Sequence, residues 1–530
     1  MFTGYADYSG LGRVASAHWP WLGFWFLLLA PVAAGLVYGP IVYRFAPEAR
    51  GHGVPEVMYA VSHREGQIAP RVTLVKALAS ALCIGGGGSV GREGPIVQIG
   101  SAAGSTIAQM LRLGVPRVRL LVACGAAGGI SATFNTPLAG PFFAMELILR
   151  DFAAESFGAV VLSSVTAAVV GRALLGDEPF LALPAFGVRS PVEYLLYIAL
   201  GIAVGVIGVA FSKLLYRVED ACDWAWRGPE WARPAVGGLL LGGLLIALPQ
   251  MYGVGYPVLQ NAVHGNYVIG MLLLLLVGKM IATSLTIGVG GSGGVFAPTL
   301  FIGAMAGTAF GTVVHAMMPG ITEDAGAYGL IGMGAALGGA TRAPITAVII
   351  LFELTGQYSI ILPLMEAVAI ATGVGRLLSK DTIYTAKLWR RGVDLDSPDP
   401  TPFTADTIAE AAPEPLCENA SISSSVDAAT AVTGEMLPVI GADGSYRGCV
   451  RARDLFEARA STNAPTTIAD LLFHPATISG EATAGEITET LARHGVTGLP
   501  VISADGSTLI GWISHRTVLT RVAAEPRTFR

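Results

Sequence analysis

The residues best placed to do chemistry are Arg92 and Glu93. They stand between Gly91 and Gly94 in the stretch Gly85–Gly100, with Pro95 following and apolar, small-residue sequence on both sides. Two charges inside membrane-grade sequence are costly, so their default reading is functional. Glycines leave backbone N–H groups open to close approach, because no Cβ stands in the way. Pro95 suits the first turn of a helix, where its missing N–H is not needed. Such a helix start carries partial positive charge and unpaired N–H donors, which together favour an anion. The pattern predicts an anion site with a carboxylate beside it. The bland alternative is a structural Arg92–Glu93 ion pair. A phosphate-binding P-loop is excluded, because no Gly-Lys-Ser/Thr follows Gly85–Gly88.

The surrounding elements must place these groups at membrane depth. Of 530 residues, 52% are hydrophobic and 13% charged, and mean hydropathy is +0.59. The apolar runs Phe24–Val42, Pro191–Tyr216, Ala235–Leu248 and Val268–Leu285 rule out an ordinary soluble domain. Several reach the length of about 20 residues that a bilayer crossing takes. The first run is too long, and too far from a small-residue cleavage site, to be a simple signal peptide. A net charge of −5 gives no case for nucleic acid. The five cysteines are scattered, with neither a disulfide framework nor zinc spacing. No metal cluster and no nucleophile–base pair stands out, so an enzyme is not expected. The 68 glycines matter more. Pairs such as Gly100 and Gly104 have the small-xxx-small spacing that lets helices pack closely in lipid. Gly and Pro at this density predict broken or re-entrant helices, which survive at membrane depth only where protein or a water-filled cavity covers them.

The chain repeats itself. Gly91, Pro95, Gly100 and Gly104 reappear as Gly294, Pro298, Gly303 and Gly307, each displaced by 203 residues; Gly125, Pro137 and Glu146 match Gly332, Pro344 and Glu353, displaced by 207. Repeated halves with broken helices mark many transport proteins, whose sites lie between the repeats near the midplane. From about Asp394 the composition turns polar and Pro-rich. A soluble, mixed α/β segment follows, and it too is doubled: Leu437–Ser445 resembles Leu499–Ser507. Asp-Gly between apolar runs reads as a tight turn joining strands. Thr407 and Thr467 read as helix starts of the two copies. Each copy resembles a CBS module, and two such modules normally pair.

The membrane half resembles the CLC family of chloride channels and chloride/proton exchangers. Gly91–Pro95 fits the family's GREGP, Gly51–Pro55 its GSGIP with substitutions, and Gly294–Pro298 its GxFxP. Phe134–Gly140 and Arg342–Thr346 are family-like as well. The resemblance implies an all-α membrane protein built from inverted repeats of broken and re-entrant helices, followed by a cytoplasmic α/β CBS pair. The expected boundaries are 1–392 for the transmembrane domain, 393–403 for a linker, 404–465 for the first CBS copy and 466–530 for the second. It implies a multi-pass homodimer in the lipid bilayer of the cell membrane, each subunit with its own anion pathway. Glu93 is then the gate: its carboxylate occupies an anion position and moves aside when protonated. His52, Gly53, Arg92, Gly94, Val295, Phe296 and Tyr384 are the implied anion-binding residues, with backbone N–H groups of Val295 and Phe296 and the hydroxyl of Tyr384 as donors.

Two departures bear on function. The family's GSGIP serine is His52 here, bulkier and able to change charge near neutral pH; as a polar cap or an anion ligand it reads equally well. Exchangers usually carry a second glutamate one residue after the position of Glu146, and here that position is Leu147. Leucine cannot relay a proton. The expectation is therefore a gated channel passing chloride or another small anion passively, with a chloride/proton antiporter as the alternative and a CBS-bearing cation transporter well behind. Glu146 is a proton relay or a structural partner; Glu353 reads as structural. No cofactor is expected. Adenine nucleotide at the CBS pair would use Asp454 and Ser514, but each copy keeps only half the ribose-binding pattern, with Arg451 and Thr517 at the other positions.

Overall fold

The computed structural model describes residues 3, 16–176, 186–395, 404–430, 436–461, 465–482, 484–494, 498–503 and 506–524. Most of the polar N-terminal stretch, linker residues 396–403 and Ala504–Asp505 of the second expected turn lie outside these. The chain divides into two units, Met1–Leu395 and Asp396–Arg530.

The first unit is helical and built twice. Its first half runs α1 (Trp25–Phe45), α2 (Val54–His63), α3 (Arg71–Gly85), α4 (Glu93–Met110), α5 (Val115–Phe134), α6 (Ala139–Phe143, continuing as a π-turn over Ala144–Leu149) and α7 (Ala154–Leu175). After α8 (Glu193–Ala225), the second half runs α9 (Arg233–Ala247), α10 (Tyr256–Val263), α11 (Ile269–Gly288), α12 (Phe296–Met317), α13 (Ala325–Thr341), α14 (Pro344–Thr355) and α15 (Ile361–Leu378), closed by the short α16 (Thr385–Trp389). Among the described residues, seven helices are long and apolar enough to cross a membrane. The short α2 and α10, of 10 and 8 residues, fall well below the length of a crossing.

Small residues explain the close crossings. A Cβ on Gly100 would strike the carbonyl of Gly125 and vice versa, and Gly303 and Gly332 repeat that contact in the other half. The α4–α5 and α12–α13 pairs thus approach backbone to backbone. The sharp turns into α2 and α10 use Gly53 at φ +80° and Gly255 at φ +93°, a region that costs glycine nothing.

Two reciprocal contacts tie the halves together. Gly91 N–H donates to the Gly294 carbonyl at 2.7 Å, and Gly294 N–H donates back to Gly91 at 2.6 Å. These are corresponding residues of the two repeats, so the bond pair lies where the repeats meet. Glu353 accepts from the N–H groups of Leu138 (2.8 Å) and Ala139 (2.6 Å) at the start of α6. Its counterpart Glu146 accepts from Ile345 N–H (3.2 Å), Thr346 N–H (2.8 Å) and the Thr346 hydroxyl (2.7 Å) at the start of α14. Each half thus caps a helix of the other with a carboxylate at its positive end.

The second unit holds two small sheets of one topology. In the first, β1 (Leu416–Cys417) pairs parallel with β2 (Met436–Ile440), which pairs antiparallel with β3 (Tyr446–Arg451). In the second, β4 (Ile478–Ser479), β5 (Gly498–Ile502) and β6 (Leu509–Ser514) repeat the pattern. The β2–β3 turn is the expected Asp-Gly turn: Asp443 accepts from the hydroxyl (2.6 Å) and N–H (3.1 Å) of Ser445. Those bonds, the hydroxyl's first, hold its carboxyl below the usual carboxylate range. The helix expected to begin at Thr407 instead spans Ala405–Ile408, because Thr404 and Thr407 form a capping box one turn earlier. At the second position Ile468–Leu471 forms a single 3₁₀ turn. Ser514 and Thr517 bond each other at 2.9 Å, each hydroxyl also accepting the other's N–H, so both serve the start of the last helix.

Candidate anion site

The three glycine motifs meet at one place. A Cβ on Gly94 would strike the His52 carbonyl and stand 3.0 Å from Gly294 Cα; one on Gly53 would stand 2.9 Å from the Gly94 carbonyl. Only residues without side chains let these helix starts converge. The α4 and α12 N-termini therefore open side by side, with first-turn N–H groups that their own helices cannot satisfy.

Glu93 fills this junction. It is buried, 1% exposed. One carboxylate oxygen accepts from Ala297 N–H in the first turn of α12, at 3.4 Å. The other accepts from the Tyr256 hydroxyl at the start of α10, at 2.5 Å. A Cβ on Gly91 would overlap the same carboxylate. The acidic side chain thus occupies a seat at a helix N-terminus that a free anion could take. Val295 and Phe296, expected to supply N–H donors, are buried beside it, while the N–H bonded to Glu93 belongs to Ala297. Arg92 does not pair with Glu93 as a simple ion pair: its guanidinium lies over the rings of Phe134 (5.7 Å) and Tyr256 (5.9 Å) and donates to Thr133 O at 3.4 Å.

His52 and Tyr384 form a second group. Both are buried, and their ring centres lie 6.3 Å apart. His52 Nε2 stands 3.5 Å from the Tyr216 hydroxyl, which donates to Ile383 O at 2.6 Å. His52 Nδ1 is buried without a hydrogen-bond partner among the described residues, so it does not act as a helix cap. The Lys387 ammonium lies near Gly51 in the adjoining turn. Leu147 is buried and brings no polar atom.

Glu146 spends both carboxylate oxygens on α14. Glu146→Gln keeps one acceptor and turns an NH2 toward backbone N–H donors. The donors are exposed or half-buried, so losing an acceptor costs toward the low end of the about 1–3 kcal/mol of a buried one. The expected result is a lower unfolding temperature in detergent with an unaltered pH profile of transport; a lost pH response with normal stability would make Glu146 a relay instead.

The sequence reading passed over Tyr256, Tyr216 and two buried lysines. Lys279 donates to Ser89 Oγ (2.9 Å), Gly253 O (3.0 Å) and Val254 O (2.9 Å). Lys76, displaced by 203 residues, donates to Ala49 O and Gly51 O, both at 2.8 Å. Each lysine pins the glycine turn before α10 or α2. Thr283 and Thr286 continue the Lys279 face of α11 and hold Ser89 O (2.7 Å) and Ser89 N–H (3.2 Å). That face fixes the loop leading to Glu93. A lone lysine in an apolar run was the available signal.

A family model described as voltage gated chloride channel matches residues 34–376, and one described as CBS domain matches residues 468–524. The chain is 36% identical over 388 residues to a Ralstonia nicotianae protein named for a ClcB-like chloride channel, covering 72% of this chain and 90% of that one. It is 37% identical over 357 residues to the H(+)/Cl(-) exchange transporter ClcA of Vibrio campbellii, covering 66% and 76%. The crystal structure of a slow cyanobacterial Cl-/H+ antiporter matches with a TM-score of 0.64 at 27% identity, covering 70% of this chain and 87% of that one.

Proposed function

Because the chain belongs to the voltage gated chloride channel family, whose members are transporters and channels rather than enzymes, we propose that this anion transporter is a chloride/proton antiporter. The observation that carries this reading is the Glu93 carboxylate, buried in a seat suited to an anion and held by Ala297 N–H and Tyr256. Charged, it excludes the anion from that seat. Protonated, it loses its hold on the N–H donors and leaves, carrying the proton as the anion enters. The names of the Vibrio and cyanobacterial relatives favour exchange, and they outweigh the preference for a passive channel that Leu147 gave. Leu147 removes one side-chain route for the proton and leaves Glu93 in place.

The same reading puts the protein in the cell membrane as a homodimer with the CBS pair in the cytoplasm. The broad exposed face of α7 suits lipid or a second copy. Adenine nucleotide at the CBS pair would have to compete with the bonds that Ser514 and Thr517 already make.

Proteoliposomes under opposed gradients test the function. Chloride flux should drive protons uphill at a fixed ratio. A reversal potential that follows chloride alone would return the protein to the channel class. His52→Ser, which restores the family's residue, should change the order of anion preference, measured as relative flux of chloride, bromide, nitrate and fluoride, by about tenfold for one pair, the worth of one hydrogen bond of about 1.4 kcal/mol.

A further inference from the structure

The two short helices that flank the site begin differently. Val54 opens α2, and at the corresponding place, 202 residues on, Tyr256 opens α10. Only the second half therefore presents a hydroxyl here, and that hydroxyl lies 2.5 Å from Glu93. Its direction is fixed from two sides. Gly255, at φ +93°, turns the chain so that Tyr256 starts the helix facing the junction. The Arg92 guanidinium lies over the face of its ring at 5.9 Å.

We infer that Tyr256 is a positioning residue of the gate: a latch whose hydroxyl holds the charged Glu93 carboxylate in the anion seat and so sets how readily that seat is vacated. The inference rests on the gate reading of Glu93. A hydroxyl donating to a carboxylate stabilises its charged form and does nothing comparable for the protonated acid. The other charged and titratable groups facing Glu93 are Arg92 on its own loop, Lys279 on α11 and Tyr384 beside α16. Lys279 donates to three oxygens, and Arg92 donates to Thr133 O and lies over the two rings. Besides Tyr256, Ala297 N–H reaches the carboxylate from a neighbouring helix, at the longer distance of 3.4 Å. The tyrosine is thus the closer of the two fastenings, and it can be removed without altering the backbone.

The test is chloride flux against pH in proteoliposomes for wild type, Tyr256→Phe, Glu93→Gln and the double variant. Phenylalanine keeps the ring under Arg92 and removes only the donor. The acid-activated profile of Tyr256→Phe should move to higher pH by about one unit, about a tenfold change in the seated-to-released ratio. On the Glu93→Gln background the same change should have no effect on pH dependence. A Tyr256→Phe profile that superimposes on wild type, while Glu93→Gln has lost its pH response, overturns the latch and leaves the gate standing. A wild-type profile in Glu93→Gln removes the gate and the latch with it. Should Tyr256→Phe not yield folded protein, 3-fluorotyrosine at position 256 keeps the shape and strengthens the donor. Its profile should move to lower pH, and an unmoved profile would overturn the proposal.

Discussion

Glu93→Gln is expected to abolish proton coupling and to leave chloride flux nearly independent of pH. Glutamine has almost the shape of the protonated acid but can neither release nor take up a proton. The wild-type carboxylate is held in its seat by a charge-assisted bond from Tyr256 and a longer one from Ala297 N–H. Hydrogen bonds to charged groups contribute about 1.5–3 kcal/mol against about 1 for neutral ones. Removing the charge therefore weakens the seated state by on the order of 1 kcal/mol or more, several-fold or greater in occupancy. Flux at high pH, where the wild-type gate is charged, should rise accordingly, and a chloride gradient should no longer drive protons. Paired chloride-electrode and pH-electrode recordings from one vesicle population read both quantities. A variant that still pumps protons would mean the exchanged proton travels on another group, and Glu93 would then be an occupant of the seat without being its switch.

The scaffold was readable because close helix crossings demand glycine, and glycines at fixed displacement betray a duplicated fold. Gly100 with Gly125, and their counterparts Gly303 with Gly332, are each where two backbones touch. The site was less readable, for a physical reason: its chemistry sits where the repeats disagree. Arg92 and Glu93 face Val295 and Phe296 across the displacement, His52 faces Val254, and Tyr256 faces Val54. Matching the halves therefore finds the frame and hides the polar groups added to one side. Glu93 was found because a charge between glycines in apolar sequence is costly. Tyr256 was missed because a tyrosine opening a helix has many ordinary explanations, and only the fold puts its hydroxyl on Glu93. Glu146 could not be assigned from sequence, since a relay and a helix cap use the same carboxylate. In the fold it accepts from Ile345 and Thr346 of the other half, the partners a helix cap needs. The lysines differ: Lys76 and Lys279 agree across the displacement and were visible as buried charges in apolar runs.

Lys279→Met should be the most destabilising single substitution among these. Methionine replaces the lysine stem with similar volume and removes the ammonium. Lys279 is fully buried, and its three bonds go to Ser89 Oγ, Gly253 O and Val254 O. Without it two buried acceptors and one half-buried one lose a donor, at about 1–3 kcal/mol for each buried one that no other donor reaches. The sum is a large share of the roughly 5–15 kcal/mol that stabilises an ordinary domain. The damage is also local to function. Gly253 and Val254 form the turn that aims Tyr256, and Ser89 leads into the loop that carries Glu93, so the Tyr256–Glu93 bond loses its anchor on the tyrosine side and one of several on the glutamate side. Thr283 and Thr286 still hold the Ser89 backbone, which should leave the α10 turn as the part that moves. Lys213→Met is the matched control, because Lys213 is exposed and makes one 3.3 Å bond to Leu378 O; exposed substitutions of this kind change stability by about half a kcal/mol or less. Thermal unfolding of the two purified variants in detergent, followed by monodispersity after heating, separates them. If Lys279→Met unfolds at the temperature of Lys213→Met, the turn before α10 is held by its own backbone, and the buried ammonium is not what aims Tyr256 at the gate.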